Sequence, residues 1–375
     1  PLRAVNALVG LGLWESIHII FSYLRAQLWP YREENTFEQW VSNRFGRRLY
    51  EVFFKTYTEK VWGIPCSEIR SEWAAQRIKG LTLPAAVRNA LFPPRAEVIK
   101  TLIDEFHYPK RGPGMMWERV MRLLEQRGSA VHLQTDAVKL LWDGVRVTGV
   151  VVRHQGDERS IAGTDVFSTM PLSELIPMFD PAPPDAVLAA ARGLRYRDFL
   201  TVVLIIDEPH LFSDNWIYIH SPDVRVGRIQ NFKNWSPAMV PDDGKTSLGM
   251  EFFCDEGDSL WEMTDDDLVA LGMRELHQIG IAPDSSVLDG VVVRQRKAYP
   301  IYDACYGELL VPVKEWLSSL ENFHTLGRNG LHKYNNQDHS MLTAILAVRN
   351  ALLGEENDLW EVNTERSYHE EVRVS

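Results

Sequence analysis

Cysteine is scarce in this chain of 375 residues: Cys66, Cys254 and Cys305 are the only three, and they lie far apart. An odd count at wide spacing gives neither a disulfide framework nor a metal-ligand pattern, so the reducing cytoplasm is the expected compartment. There is no H-E-x-x-H, no histidine pair at helical spacing and no G-x-S-x-G, which leaves a catalytic metal and a nucleophile elbow without support. No apolar run is long enough to span a bilayer. The nearest, Ala7 to Phe21, is interrupted by Glu15 and His18. It reads as a buried helix of a cap, or else as a helix in peripheral contact with a membrane surface. Basic charge is short too: 40 Lys and Arg against 51 Asp and Glu give a net −11, which argues against nucleic acid as a partner. The G-x-G-x-x-G turn of a dinucleotide site is also missing. Its near miss, Gly10 to Glu15, puts Glu15 in place of the third glycine, follows no strand and has helical periodicity running through it. That pattern suits a small-residue patch on a packed helix.

What is present divides into two textures. Residues 1–104 are helical and aromatic-rich, with Thr36-x-x-Gln39 forming a capping box before the stripe Phe37, Trp40, Val41, Phe45, Leu49, Val52 and Phe53. Arg44, Arg47 and Arg48 read as a solvated helix face. From Phe106 strands alternate with helices. Tyr108 to Gly114 turns into a helix from Met115 to Gln126, and strands are expected at 130–133, 138–142, 145–153 and 165–169. A second sheet follows: a buried strand at 201–206, a hairpin of 216–220 with 227–231, and strands at 247–253 and 287–296 around an amphipathic helix from Asp265 to Ile279. Beyond Gly354 the chain turns acidic and is expected to wrap the surface or fray.

The densest pattern is Asn322 to Ser340. Asn322 to Leu326 reads as a short strand, Gly327 and Gly330 allow the chain to turn away, and Asp338 to Ser340 open a helix whose apolar positions are Met341, Ile345, Leu346, Val348 and Leu352. Open amides at a helix start and the guanidinium fork of Arg328 together suit an anion. An ordinary capped surface helix after a glycine turn fits the same spacing.

The order of these residues resembles the C-terminal flavin motif of FAD-dependent oxidoreductases related to UDP-galactopyranose mutase, protoporphyrinogen oxidase and the flavin amine oxidases. The resemblance runs from about Thr36 to Asn350. It includes Asn43 to Tyr50 with Thr56 to Gly63, the Tyr108 to Gly114 turn, and Ala298 to Tyr306. It implies an α/β fold: a glutathione-reductase-type FAD-binding domain, with its first βαβ unit missing from this chain, a mixed-sheet substrate domain and a helical cap. The implied map is 1–104 cap, 105–194 and 298–354 FAD-binding parts, 195–297 substrate sheet and 355–375 acidic tail. For the cofactor it implies contacts from Gly327, Arg328, Tyr334 and Asp338, backbone amides of His339, Ser340 and Met341 near the pyrimidine edge of the ring, and backbone groups of Val138 at the adenine. Tyr299 and Tyr302 would line the substrate approach, as interface packing would also have them do, with Arg228 and Arg296 as further substrate candidates beside Arg225 and Arg294. No catalytic residue is assigned, since His332 and His339 read as polar loop residues as readily as acid or base. The implied activity is removal of a hydride from a small organic substrate, an amine or a C–C bond. A redox-neutral UDP-sugar mutase and a non-catalytic flavin-fold scaffold are the alternatives.

Overall fold

The computed structural model describes residues 11–71, 106–283 and 286–363. Positions 72–104 of the expected cap, the start of its first helix before residue 11 and the tail beyond 363 lie outside the described residues. Helix α1 (Leu13–Leu28) begins only after Gly12, which sits at φ 79° and outside the helix. The expectation of an unbroken helix packed around Gly10 to Glu15 is therefore corrected. A Cβ at Gly12 would meet nothing within 4 Å, so its role is conformational and not close packing. Helix α2 (Phe37–Phe45) carries the anticipated capping box, with Thr36 and Gln39 exchanging bonds. Gly46 stops it at φ 83°, where a Cβ would lie 2.6 Å from the Tyr23 amide nitrogen of α1. The unbroken stripe thus ends at Phe45, about two turns before Phe53. After Arg47–Leu49 the chain passes through a π-helical turn, Tyr50–Lys55, into α3 (Thr56–Trp62), and Phe53 ends up 40% exposed. Arg44, Arg47 and Arg48 pair with Glu34, Glu51 and Glu15, surface bridges of small individual worth.

Helix α4 (Gly114–Gln126) leads to β1 (Thr135–Trp142), β2 (Val147–His154) and β3 (Asp157–Ile161), an antiparallel meander. The strand expected at 130–133 is absent, and β3 was not anticipated because its five residues are all exposed and offer no alternation. Next come β4 (Val166–Ser168), β5 (Phe179–Asp180) and α5 (Asp185–Gly193). They are followed by β6 (Tyr196–Ile206), β7 (Trp216–Tyr218), β8 (Arg228–Asn231), β9 (Thr246–Cys254), α6 (Asp265–Gln278) and β10 (Val287–Pro300). The chain closes with α7 (Tyr306–Ser318), β11 (Phe323–Thr325) and α8 (Gln337–Leu353). Three sheets result, in the orders β3-β2-β1-β5, β10-β6-β9-β8-β7 and β11-β4, with β1/β5 and β11/β4 parallel. Mixed pairing within an α/β chain suits the FAD-dependent oxidoreductase fold.

Two compact units are assembled from alternating stretches of chain. One combines the chain up to Met116 with Asp198–Arg296; the other combines Trp117–Arg197 with Lys297–Glu365. In the first, β6 and β9 run antiparallel from Asp198↔Cys254 to Ile206↔Thr246. Leu200, Val202, Leu204 and Ile206 alternate onto the same face as Leu248, Met250 and Phe252, under Leu268 and Leu276 of α6. Each such side chain contributes about 1.5–3 kcal/mol by leaving water, which is why this sheet holds its register. In the second unit, Leu140, Leu172, Ile176 and Phe179 pack with Val187 and Ala191 of α5 and Val313 and Leu317 of α7. A smaller cluster of Leu326, Leu331, Ala347 and Leu359 anchors the segment between β11 and α8.

Candidate functional site

The segment from Gly327 to Asn336 is a loop tied at both ends. Leu326 donates its amide to the Ser168 carbonyl of β4 at 2.9 Å, continuing the parallel pair by one residue. Gly327 then turns at φ 84° and donates its own amide to the Thr343 hydroxyl of α8 at 3.0 Å. Gly330 is fixed by lack of room, since a Cβ would fall 2.7 Å from Thr325 Oγ1 and 2.9 Å from the Ser168 carbonyl oxygen. The Asn335 side-chain amide closes the loop by donating to the Gly327 carbonyl at 2.9 Å, and the Lys333 amide reaches the Arg328 carbonyl at the same distance.

Tyrosines and a histidine brace this loop from below. His332 is wholly buried at φ 45°, with Nε2 3.3 Å from the Ile301 carbonyl oxygen, so that nitrogen carries the proton. Its Nδ1 is buried without a hydrogen-bond partner, and burial drives its pKa down to about 4, keeping the ring neutral. Tyr196 meets it edge-on at 4.9 Å. Tyr302 stacks on Tyr306, and its hydroxyl oxygen accepts the Tyr334 amide at 2.6 Å. Tyr299 stacks on Tyr334, with centroids 5.4 Å apart. The Arg328 guanidinium lies against both rings, 4.9 Å from Tyr299 and 4.4 Å from Tyr334. Its Nε is buried with no hydrogen-bond partner, and among the described residues no carboxylate pairs with it. A half-buried cation held by two rings, with an open donor, is chemically able to receive an anion. Tyr299 and Tyr302, the expected liners of a substrate approach, are both buried, and their rings are committed to Arg328 and to the His332 cluster.

The start of α8 corrects the expected cap. Asn336, not Asp338, is the N-cap residue, and its amide donates to His339 Nδ1 at 3.3 Å. The Ser340 amide already donates to the Asn336 carbonyl at 3.0 Å, and that of Met341 lies one residue deeper in the helix. Of the three amides expected to face a ligand, only that of His339 lies in the first turn, beside those of Gln337 and Asp338, and the Asn336 capping box engages it. Asp338 itself is exposed in that turn. Val138 sits at a β-bulge: the β1/β2 register jumps from Ala137↔Val152 to Lys139↔Val151, leaving its backbone groups outside the ladder. A residue that reads a ligand through its backbone needs such release.

The candidate substrate arginines are each engaged locally. Arg228 donates Nε and Nη2 to Glu251 Oε2 at 2.9 and 2.5 Å, while Gln230 takes the other oxygen at 2.6 Å. Arg296 pairs with Glu256 at 2.9 Å, Arg294 pairs with Asp265, and Arg225 donates to the Ser259 hydroxyl at 3.2 Å. Sequence reasoning passed over Lys333, whose ammonium donates to the carbonyls of Trp360 and Val362 and pins the short helix Leu359–Glu361. Burial pulls that lysine's pKa down to about 8. Its only signal was proximity to the motif, because its acceptors are backbone atoms almost thirty positions away.

The sequence profile described as flavin containing amine oxidoreductase matches residues 30–316. Among solved structures, reduced UDP-galactopyranose mutase superposes with a TM-score of 0.78 at 20% identity, covering 94% of this chain and 74% of that one. A putative protoporphyrinogen oxidase from Exiguobacterium sp. 255-15 gives 0.61 at 16% identity, with 85% and 68% coverage. A single-residue variant of putrescine oxidase gives 0.54 at 15%, with 90% and 75%. At these identities the likeness is one of fold.

Proposed function

Because the chain belongs to the flavin-containing amine oxidoreductases and its cofactor is FAD, we propose that it removes a hydride from a small organic substrate, an amine or a C–C bond. The observation that carries the cofactor assignment to particular residues is Arg328, a tyrosine-clamped cation whose buried Nε awaits an acceptor. When bound, FAD supplies the two-electron chemistry. The residues of the chain hold and orient it. Arg328 would contact the diphosphate, Gly327 gives the backbone its turn, the first-turn amides of Gln337 and Asp338 favour negative charge, and Val138 offers bulge-released backbone groups. Neutral His332 adds no positive charge to those of Arg328 and Lys333.

A hydride-removing oxidoreductase is favoured over a UDP-sugar mutase by the local pairing of Arg225, Arg228, Arg294 and Arg296, which leaves no ready arginine cluster for a nucleotide diphosphate. Anaerobic mixing of oxidised holoprotein with amines, hydroaromatics and nucleotide sugars tests the ranking. Flavin bleaching with a product two electrons more oxidised is expected. Conversion of UDP-galactopyranose only after dithionite reduction, without net oxidation, would reverse it.

The FAD-binding half also exposes apolar surface where a sheet layer would sit. Met341, Ile345, Val348 and Leu352 of α8 are 36–72% exposed, and α4 buries none of its residues although it carries Trp117, Val120 and Leu124. Among the described residues, the parallel pair β4/β11 has only two strands. A strand–turn–helix unit bearing the absent G-x-G-x-x-G turn, outside residues 1–375, would cover these faces and cradle the diphosphate. Residues 1–375 alone should then lose FAD on gel filtration; stoichiometric retention would overturn this completion. A cytoplasmic setting is part of the same proposal, supported by the sparse cysteines and by the absence of disulfides among the described residues.

A further inference from the structure

We infer that the outer face of α1 is a membrane-contact surface, laid flat in the headgroup layer of a lipid bilayer. At 100° per residue, Ile20, Leu13, Leu24, Ile17, Leu28, Phe21 and Trp14 fall in one arc of roughly 120°. Exposure follows most of that arc: Leu13 is 75% exposed, Trp14 77%, Phe21 68% and Leu28 68%, while Ile17 is half-buried. The opposite side faces its own unit, with Ser16 and Ile19 buried, Glu15 bridged to Arg48 at 2.5 Å, and the Ser22 hydroxyl accepting the Arg48 amide at 2.9 Å. The inward side therefore holds the helix in place and leaves the apolar arc turned outward.

Charge selects the occupant. Next to the arc, along the edge beyond Trp14 and Phe21, stand His18 and Arg25, both exposed. Glu15, the only acidic residue of the helix, is turned inward to Arg48. A second copy pairing this face with itself would bring two basic edges together with no carboxylate of the helix to meet them, whereas anionic headgroups complement that edge. Indoles mark both ends, Trp14 at the first turn and Trp29 just past the last at 74% exposure, the position where an amphipathic ring bridges hydrocarbon and headgroup. The helix has 16 residues, and among the described residues no helix is long and apolar enough to cross a membrane. The arrangement is that of a helix lying on the bilayer. A net charge of −11 gives the whole chain no general attraction to anionic lipid, so the apolar arc must dominate the binding.

Vesicle flotation of the chain tests this, with phosphatidylcholine alone and with about one third phosphatidylglycerol. The chain should float with both, and several-fold more with the anionic mixture. Phe21→Glu with Leu24→Glu, two outward positions, should lower the bound fraction on the order of tenfold while far-UV circular dichroism stays unchanged. Arg25→Gln should remove the anionic preference and leave binding to phosphatidylcholine. Absence of flotation with either vesicle, or flotation undiminished in the double variant, overturns the inference. So does a dimer on gel filtration that the double variant dissolves without any vesicle binding, which would assign the face to a second copy.

Discussion

Arg228 and Arg328 are both partly buried arginines, and the protein balances their charge in opposite ways. Arg228 closes on Glu251, a carboxylate only 3% exposed, and Gln230 takes the remaining oxygen. That network is electrically complete before any ligand arrives. Arg328 has tyrosine faces in place of a carboxylate and a buried Nε with no acceptor. A cation whose charge is cancelled internally serves the fold, and one left uncancelled is available to a ligand. The difference between the two is measurable.

The largest effect should come from breaking the complete pair. Arg228→Met strands Glu251 in the sheet and should cost about 3–5 kcal/mol in denaturant unfolding, while Arg328→Met, which leaves no charge behind, should change the ligand-free chain by less than about 0.5 kcal/mol. Glu251→Gln added to Arg228→Met should recover much of the loss, because the buried charge is then gone. Equal costs for the two arginine changes would erase the distinction between them.

The buried ring of His332 beneath Arg328 should resist protonation. His332 has a folded pKa of about 4 against an ordinary 6.5, so the unfolded chain takes up its proton first as pH falls. The stability from a neutral His332 is complete above about pH 6.5 and is lost as pH drops toward 4, a change of roughly 3 kcal/mol. Urea titrations across that window should show the slope, and His332→Asn should flatten it. A slope that survives the substitution would place the titration elsewhere.

Arg328→Ala should weaken FAD by about 1.5–3 kcal/mol in the complete holoprotein, read by flavin fluorescence, with Arg228→Met leaving the affinity per folded molecule unchanged. If Arg328→Ala binds FAD at parental strength, the uncancelled cation has another purpose.

Local chemistry made part of this legible from sequence. The Thr36/Gln39 capping box spans four residues, and the β6 and β9 strands declare themselves as short apolar runs, with the β7/β8 hairpin between them. The Gly327–Arg328 turn was visible because glycine spacing is itself the signal. What stayed hidden depends on distant partners. The sandwich of Arg328 joins Tyr299 to Tyr334 across 35 positions, the bulge at Val138 is defined by β2, and the Lys333 clamp needs the carbonyls of Trp360 and Val362. The stripe of α8 was legible as a helix but not as an exposed one, since periodicity fixes a face and not what covers it.

The smallest effects lie at the start of α8, where Asn335, Asn336, Asp338 and Ser340 all have side chains able to cap and sequence alone favoured the later ones. The structure places the cap at Asn336, whose amide donates to His339 Nδ1, a bond that needs that nitrogen unprotonated. The 3.3 Å approach of Asp338 to the same nitrogen is then no ion pair, and Asp338 acts only as an exposed first-turn carboxylate near the positive end of the dipole. Asn336→Ala should therefore cost about 1 kcal/mol of stability, and Asp338→Ala about 0.3–0.5 kcal/mol, the latter shrinking in high salt. Because the Gln337, Asp338 and His339 amides stay in place in the Asp338 variant, its FAD affinity should fall far less than that of Arg328→Ala. A larger loss from Asp338 than from Asn336, in either stability or FAD binding, would return the cap to Asp338 and make that carboxylate, not the first-turn amides, the feature the cofactor depends on.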